Sequence, residues 1–104
     1  MKVIHVQVGR DPVVRDIENN LDAMQDIVGG NIEVVYDVGL GDNICIIDNE
    51  EGKFNSVPNQ YFSELEDTVY GDFLIVCYDI DTGKFVDLND WDVSTCMDRI
   101  IFER

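Results

Sequence analysis

Residues 71–84, GDFLIVCYDIDTGK, decide the fold of this chain. They contain Phe73–Tyr78, an uncharged run that is rich in β-branched and aromatic residues. Such a run is typical of a strand that is buried on both faces in the middle of a sheet. Residues 81–83 then supply the chemistry of a turn, and Phe85–Val86 begin a returning strand. The stretch therefore predicts a β-hairpin at the centre of a sheet.

Shorter patterns on the N-terminal side of this hairpin predict four more strands. They span residues 2–8, 13–17, 32–36 and 44–47. In the first of them Ile4 and Val6 share one face, and Val3 and His5 share the other. The face with His5 and Gln7 is the more polar one, so His5 is expected at the surface.

Two segments have the apolar spacing of a short helix. The first has an N-cap at Asn19 or Asn20 and ends at Gly29 and Gly30. The second has Asn89 as its N-cap. The two apolar stripes are Leu21, Met24, Ile27 and Val28 in the first helix, and Val93, Cys96, Met97, Ile100 and Ile101 in the second.

The fold class predicted from these elements is α+β, as one domain over residues 1–104. We expect a largely antiparallel sheet of about five to six strands with the two short helices packed on it, to one side. Residues 53–57 are expected to pair back briefly. Residues 59–70 are expected to cover the core as a loop or a single helical turn.

The net charge sets the chain apart from an average protein. Twenty-two acids and seven bases give a formal charge of −15 at neutral pH. Such a charge repels nucleic acids and anionic membranes, so we expect neither direct nucleic-acid binding nor a membrane partner. It favours a basic protein partner, a cation, or solubility alone.

The cysteines and the N-terminal residues indicate the cellular compartment in which the protein is expected. Cys45, Cys77 and Cys96 form no CxxC motif, and an odd number of cysteines argues against a disulfide framework. The first residues lack the apolar segment of a signal peptide. These features predict a reducing cytoplasmic environment, with all three cysteines as small core residues.

Two motifs in the hairpin turn suggest chemistry but do not meet its requirements. Asp79-x-Asp81-x-Gly83 resembles the start of a calcium loop, yet positions 5, 6 and 12 hold Gly83, Lys84 and Asp90. A turn explains these residues, although weak divalent-ion binding, and hence a metal-dependent enzyme, remains an alternative. Asp81-Thr82-Gly83 also spells the aspartic-protease triplet, but Lys84 would keep a carboxylate pair ionised. The sequence thus predicts no catalytic residues, no metal site and no cofactor.

Four short stretches resemble the DUF3846 family. Residues 27–36, IVGGNIEVVY, are similar to the IVGGYIEVVY segment of this family. Residues 49–53, NEEGK, resemble the NEEGK turn of the family. Pro58 and Asn59 resemble the start of its PNR motif, and residues 71–76, GDFLIV, resemble its GTFLIVG strand. The order and spacing agree over nearly the whole chain.

This resemblance implies a small protein carried by phages or mobile elements of gut bacteria, and it implies no activity. Two positions depart from the family pattern. Gln60 replaces an Arg and Asp72 replaces a Thr. Any anion-binding role of that Arg is therefore not carried over.

The sequence favours a non-catalytic interaction protein. Fifteen net charges match about 25 Å of duplex, so the chain could present a DNA-like surface to a basic host defence protein and act in counter-defence. The candidate contact face consists of acids in the second half of the chain: Glu64, Glu66, Asp67, Asp79, Asp81, Asp87, Asp90 and Asp92. The alternative is a protein that sequesters a nucleotide-like molecule in a pocket between protomers, with Arg10, Arg15 and Lys53 as anion contacts. The edge strand at residues 13–17 would allow a homodimer.

Overall fold

The computed structural model describes residues 1–102, and it contains eight strands and three helices. The strands are β1 (Lys2–Val6), β2 (Val13–Asp16), β3 (Ile32–Val35), β4 (Ile44–Asn49), β5 (Pro58–Phe62), β6 (Asp67–Tyr70), β7 (Phe73–Tyr78) and β8 (Phe85–Val86). The helices are α1 (Leu21–Val28), α2 (Gly52–Asn55) and α3 (Asp90–Phe102).

The main sheet is antiparallel and has β7 at its centre. Its order is β2-β1-β7-β4-β3, with β8 paired to the end of β7. β7 pairs with β1 through Ile4↔Ile75 and with β4 through Ile46↔Ile75, so Ile75 has a neighbour on both sides. The uncharged run at residues 73–78 occupies the centre of the sheet, where both faces and both edges of the strand are covered. The predicted α+β class, antiparallel sheet and central hairpin are confirmed.

Both faces of the sheet carry a hydrophobic core. On one face Ile46 and Phe73 pack against β5, β6 and α3. On the other face Leu74 packs against Met24 and Val28 of α1. The expectation that the helices lie to one side of the sheet is therefore wrong. An apolar stripe predicts that a helix packs on a sheet, but it does not say which face of the sheet it covers.

Asparagine caps start both longer helices. The side chain of Asn20 accepts a hydrogen bond from the Ala23 backbone N–H at 2.8 Å. Asn89 accepts one from the Asp92 N–H at 2.7 Å. α1 ends at Gly29, whose φ of 82° is the left-handed conformation of a helix C-terminus. These boundaries agree with the sequence predictions.

The region between β4 and β7 differs from its prediction. β4 continues through Asn49, where a turn was expected to begin, and residues 52–55 form the single-turn helix α2 instead of a short returning strand. Residues 58–70 form a second sheet, the β5–β6 hairpin, which covers one core with Phe62 and Val69. The expectation of a loop or a helical turn at 59–70 is wrong. The apolar residues of these strands are adjacent, as in Tyr61–Phe62 and Val69–Tyr70, so neither strand has the alternating pattern that predicts a half-buried strand.

A candidate binding cleft

A cleft of about 430 Å³ opens between the outer edge of the main sheet and the β5–β6 hairpin. β3 and β4 form one wall, β6 forms the opposite wall, and α2 closes one end. Four of its lining residues are acids and one is a base: Glu33, Asp48, Glu50, Asp67 and Lys53. We call it the acidic cleft.

Glu33 and Asp48 form a pair of carboxyl groups on one wall of the acidic cleft. They lie directly opposite each other in the β3–β4 ladder, so their side chains are on the same face. Asp48 is only 7% exposed, and its Oδ1 has no hydrogen-bond partner among the described residues. Burial, followed by the hydrogen bond and negative charge of Glu33, raises the pKa of Asp48 to about 7. Asp48 is therefore partly protonated near neutral pH.

Lys53 and Asp67 form an ion pair that faces this carboxyl pair. Lys53 Nζ donates to both carboxylate oxygens of Asp67, at 2.9 and 2.8 Å. This hydrogen bond raises the pKa of Lys53, and together with the Thr68 N–H it lowers the pKa of Asp67. The ion pair links α2 to β6, and the described lining of the cleft holds four acids but a single base.

The remaining lining of the acidic cleft is largely apolar. Val35, Leu65 and Val69 contribute aliphatic surface, and Tyr70 contributes an aromatic side chain. Phe54 stands on α2 at the rim with 89% of its surface exposed. An exposed aromatic ring beside an acidic cavity is a typical feature of a binding site rather than of a folded core.

The acids predicted as a contact face lie in three parts of the molecule. They occur in the β5–β6 hairpin, in the turn between β7 and β8, and around the start of α3. Several have internal partners: Asp67 binds Lys53, Asp87 accepts from the Lys2 N–H at 2.8 Å, and Asp90 lies 3.5 Å from Lys2 Nζ. The hairpin and α3 pack on the same face of the sheet. Five of the eight acids therefore stand on elements of one side: Glu64, Glu66, Asp67, Asp90 and Asp92.

The three bases predicted as anion contacts are not brought together within the chain. Lys53 lines the acidic cleft beside β3, whereas Arg15 is on β2 and Arg10 is in the turn before it. β2 and β3 are the two outer strands of the main sheet, four strand spacings apart, or roughly 19 Å. One small anion cannot contact all three in a single protomer.

His5 is buried, and the expectation of a surface histidine is wrong. The residue is 4% exposed, on a face of β1 that belongs to a hydrophobic core. Its Nε2 lies 2.9 Å from Asp72 Oδ2, and its Nδ1 lies 3.1 Å from Arg15 Nη1. The predicted alternation of β1 is correct, but both faces of the strand are covered, so the more polar face is not exposed.

The turn between β7 and β8 is held by its own aspartate. Asp79 Oδ1 accepts hydrogen bonds from the N–H groups of Asp81 and Thr82, and Gly83 N–H donates to the Asp79 carbonyl. These contacts confirm the hairpin-turn interpretation of the calcium-like motif. Within residues 1–102 no group of three or more His, Cys, Asp or Glu side chains is placed to hold a metal ion.

The cysteines occupy the interior as expected. Cys45 and Cys96 are fully buried, and Cys77 is partly buried. Burial raises the pKa of Cys45 to about 12 and that of Cys96 to about 11. Thiolates are the reactive form of cysteine, so neither thiol is suited to nucleophilic chemistry.

The carboxyl pair of the acidic cleft is a feature that the sequence analysis missed. Glu33 is one acid in an otherwise apolar strand, and Asp48 directly follows the apolar run at residues 44–47. The signal was present, because a β3–β4 hairpin that pairs Val34 with Ile47 also pairs Glu33 with Asp48. An acid in each of two paired strands, at opposing positions, marks a carboxyl pair once the register is known.

Comparison with known proteins identifies a family but no function. The model of a domain of unknown function, DUF3846, matches residues 1–101. No curated protein and no solved structure matches the chain. None of the helices in the described part of the chain is long and apolar enough to cross a membrane.

Proposed function

The chain belongs to the DUF3846 family. From the charges on its surface we propose that it binds a basic protein partner through the side of the sheet that carries the β5–β6 hairpin and α3. The observation that carries this proposal is that acids outnumber bases by twenty-two to seven, and that several of these bases already contact groups of the same chain. Lys2 is paired with Asp90, Lys53 with Asp67, and Arg99 donates to the Gly39 carbonyl. Arg15 contacts His5. The acids therefore dominate the outward electrostatic potential.

A DNA-like contact surface is the finer form of this proposal. The longest dimension of the molecule is 33 Å. This length exceeds the roughly 25 Å of duplex that carries fifteen charges. The partner is then a basic nucleic-acid-binding protein. In the phage or mobile-element setting that the family resemblance implies, the effect is counter-defence inside the host cytoplasm.

The test is an affinity capture from host-cell lysate at low salt, with elution at high salt. We expect a basic protein to be retained at about 50 mM salt and released near 1 M, where the screening length falls to about 3 Å. If the captured protein binds nucleic acid, the chain should compete with DNA for it. If the DNA binding of the captured partner is unaffected by the chain, the proposal of a DNA-like surface is contradicted. If retention does not depend on salt concentration, the proposal of binding through acidic residues is contradicted.

Two variants with equal net charge identify the side that makes contact. Glu64→Gln with Glu66→Gln removes two charges from the hairpin side, and Asp22→Asn with Asp26→Asn removes two from α1 on the opposite face. The first variant should weaken capture and the second should not. Equal weakening by both would show that only total charge matters and would contradict a defined contact side.

A further inference from the structure

We propose that the acidic cleft is a binding site for a guanidinium group, with Glu33 and Asp48 accepting its N–H donors. The assignment of the cleft stands on its geometry. The assignment of the group to an arginine side chain of the basic partner rests on the proposed function. A free guanidinium compound is the other source of the same chemistry, and binding of an arginine-containing peptide distinguishes the two.

The spacing of the two carboxyl groups suits a planar, forked donor. Glu33 and Asp48 are direct partners in the β3–β4 register. Residues directly opposite in an antiparallel ladder have Cβ atoms about 4.5–5.5 Å apart. A guanidinium presents five N–H donors in a rigid plane, so it can donate to both carboxylates at once. An ammonium is a compact point charge without this planar fork.

Asp48 has an acceptor that the protein does not use. Its Oδ1 is buried and lacks a partner among the described side chains and backbone groups, although the residue lines the cleft. A buried acceptor without a donor destabilises the folded state, because its lost hydration is not replaced. Rotation about Cβ–Cγ, which is soft for aspartate, exchanges the two oxygens and can present the unused one to a ligand.

The walls of the cleft match the rest of an arginine-like ligand. Val35, Leu65 and Val69 offer aliphatic surface to an alkyl stem. Phe54 offers an exposed ring at the entrance, on which a guanidinium plane can stack. Guanidinium is more weakly hydrated than ammonium, so entry into a partly apolar cavity costs it less.

Binding of a cation should expel the proton that Asp48 holds near neutral pH. The charged and titratable groups facing Asp48 are Glu33 on β3, Glu50 after β4, Lys53 on α2, and Asp67 and Tyr70 on β6. Burial and Glu33 raise the pKa of Asp48, whereas the bound cation favours the ionised form. Affinity should therefore be higher at pH 8 than at pH 6.

The first experiment titrates the isotopically labelled protein with ethylguanidinium chloride and, separately, with ethylammonium chloride at constant ionic strength. Amide chemical shifts report the site. We expect saturable changes that cluster at β3, β4, α2 and β6, with at least fivefold tighter binding of ethylguanidinium. Changes that are scattered over the acidic surface, that do not saturate, or that are equal for both salts overturn the proposal.

Three variants test the assigned groups. Asp48→Asn and Glu33→Gln should each weaken ethylguanidinium binding at least tenfold, while Asp81→Asn removes the same charge from a distant turn and should change it less than twofold. Lys53→Met should strengthen binding, because it removes a like charge and releases Asp67. Asp48→Asn should also raise the melting temperature, so loss of binding cannot be ascribed to unfolding. Equal affinities of Asp48→Asn and Asp81→Asn overturn the assignment.

A peptide distinguishes the two sources of the group. The blocked peptide Gly-Gly-Arg-Gly-Gly should bind at least as tightly as ethylguanidinium if the cleft receives an arginine side chain. Binding of ethylguanidinium without the peptide assigns the cleft to a small molecule and overturns the arginine side chain. In the lysate capture, salt-sensitive retention that survives Asp48→Asn supports the proposed function and contradicts the role of the cleft in it.

Discussion

His5 donates a hydrogen bond from Nε2 to Oδ2 of Asp72 at 2.9 Å, and Arg15 fixes its direction from the other side of the ring. An arginine N–H can only donate, so Nδ1 of His5 accepts and Nε2 carries the proton. The second oxygen of Asp72 accepts the Val8 backbone N–H at 3.0 Å. The carboxylate of Asp72, which directly precedes β7, therefore binds both His5 on β1 and the backbone just after β1.

Asp72→Ala should lower the free energy of unfolding by about 2–3 kcal/mol, because it removes two hydrogen bonds to a charged group and leaves a buried histidine without its acceptor. Urea denaturation provides the measurement. The exposed turn residue Asp81, changed to Ala, serves as the control. This control should cost less than about 0.5 kcal/mol, as is usual for a surface substitution. Equal costs would contradict a structural role of Asp72.

Asp72→Asn tests the tautomer of His5. An Asn that accepts from Val8 N–H presents its amide donor to Nε2, which already carries a proton. We expect a loss of about 1–2 kcal/mol, reduced when Arg15→Leu is added, because the histidine can then change tautomer. A double-mutant cycle in urea should give a coupling of at least about 0.5 kcal/mol. Strict additivity would contradict the proton assignment.

The stability of the protein should fall as pH rises from about 4 to about 7 because of Asp48. Its pKa is raised from 3.8 to about 7 in the folded state, so over this window the folded protein holds a proton that the unfolded chain has lost. One such group contributes a slope of up to about 1.4 kcal/mol per pH unit, and no further loss from it is expected above about pH 8.

Asp48→Asn isolates this contribution. The variant should be more stable than the natural protein at pH 8, by about 1–3 kcal/mol, and the difference should shrink toward pH 5. Thermal unfolding at several pH values measures both. A difference that is constant with pH would show that Asp48 does not titrate in this range.

The thiols should react in a fixed order with a thiol-specific chromogenic reagent at pH 8. Cys77 is partly exposed and should react first, whereas Cys45 and Cys96 should react only after unfolding, because their thiolates are disfavoured by burial. Reaction of all three in guanidinium chloride is the reference. Rapid reaction of more than one thiol in the folded protein would contradict the closed cores.

Substitutions of Gly52 and Gly9 should each lower the free energy of unfolding, but for different reasons. A Cβ on Gly52 would lie 2.8 Å from the Tyr70 carbonyl oxygen, and Gly9 has open space but a φ of +70°. Gly52→Ala should push α2 from β6 at a cost of about 1–3 kcal/mol. Gly9→Ala should cost about 1–2 kcal/mol through its backbone. Asn tolerates that conformation, so Gly9→Asn should recover part of the loss in urea denaturation and Gly52→Asn should not.

The sequence predicted those features that depend on neighbours along the chain. The buried run at residues 73–78, the caps at Asn20 and Asn89 and the Asp79 turn are local patterns, and all were found. The burial of His5 depends on Asp72, 67 residues away, and on coverage of both faces of β1. The acidic cleft depends on a strand register and on a hairpin whose partner strand is weakly patterned. Such long-range pairings are not encoded by spacing within any one segment.

The central place of β7 also sets the order in which the molecule can be assembled. β1 and β4 are separated in the sheet by a strand that follows both of them in the sequence. During synthesis, the β1–β2 and β3–β4 hairpins emerge first and expose unpaired edges until residues 73–78 leave the ribosome and insert between them. Folding should thus be slow for a chain of this length, because its main closure joins distant segments. A nascent chain stalled before residue 73 exposes to the cell's chaperones two strand edges, those of β1 and β4, that are paired in the folded protein.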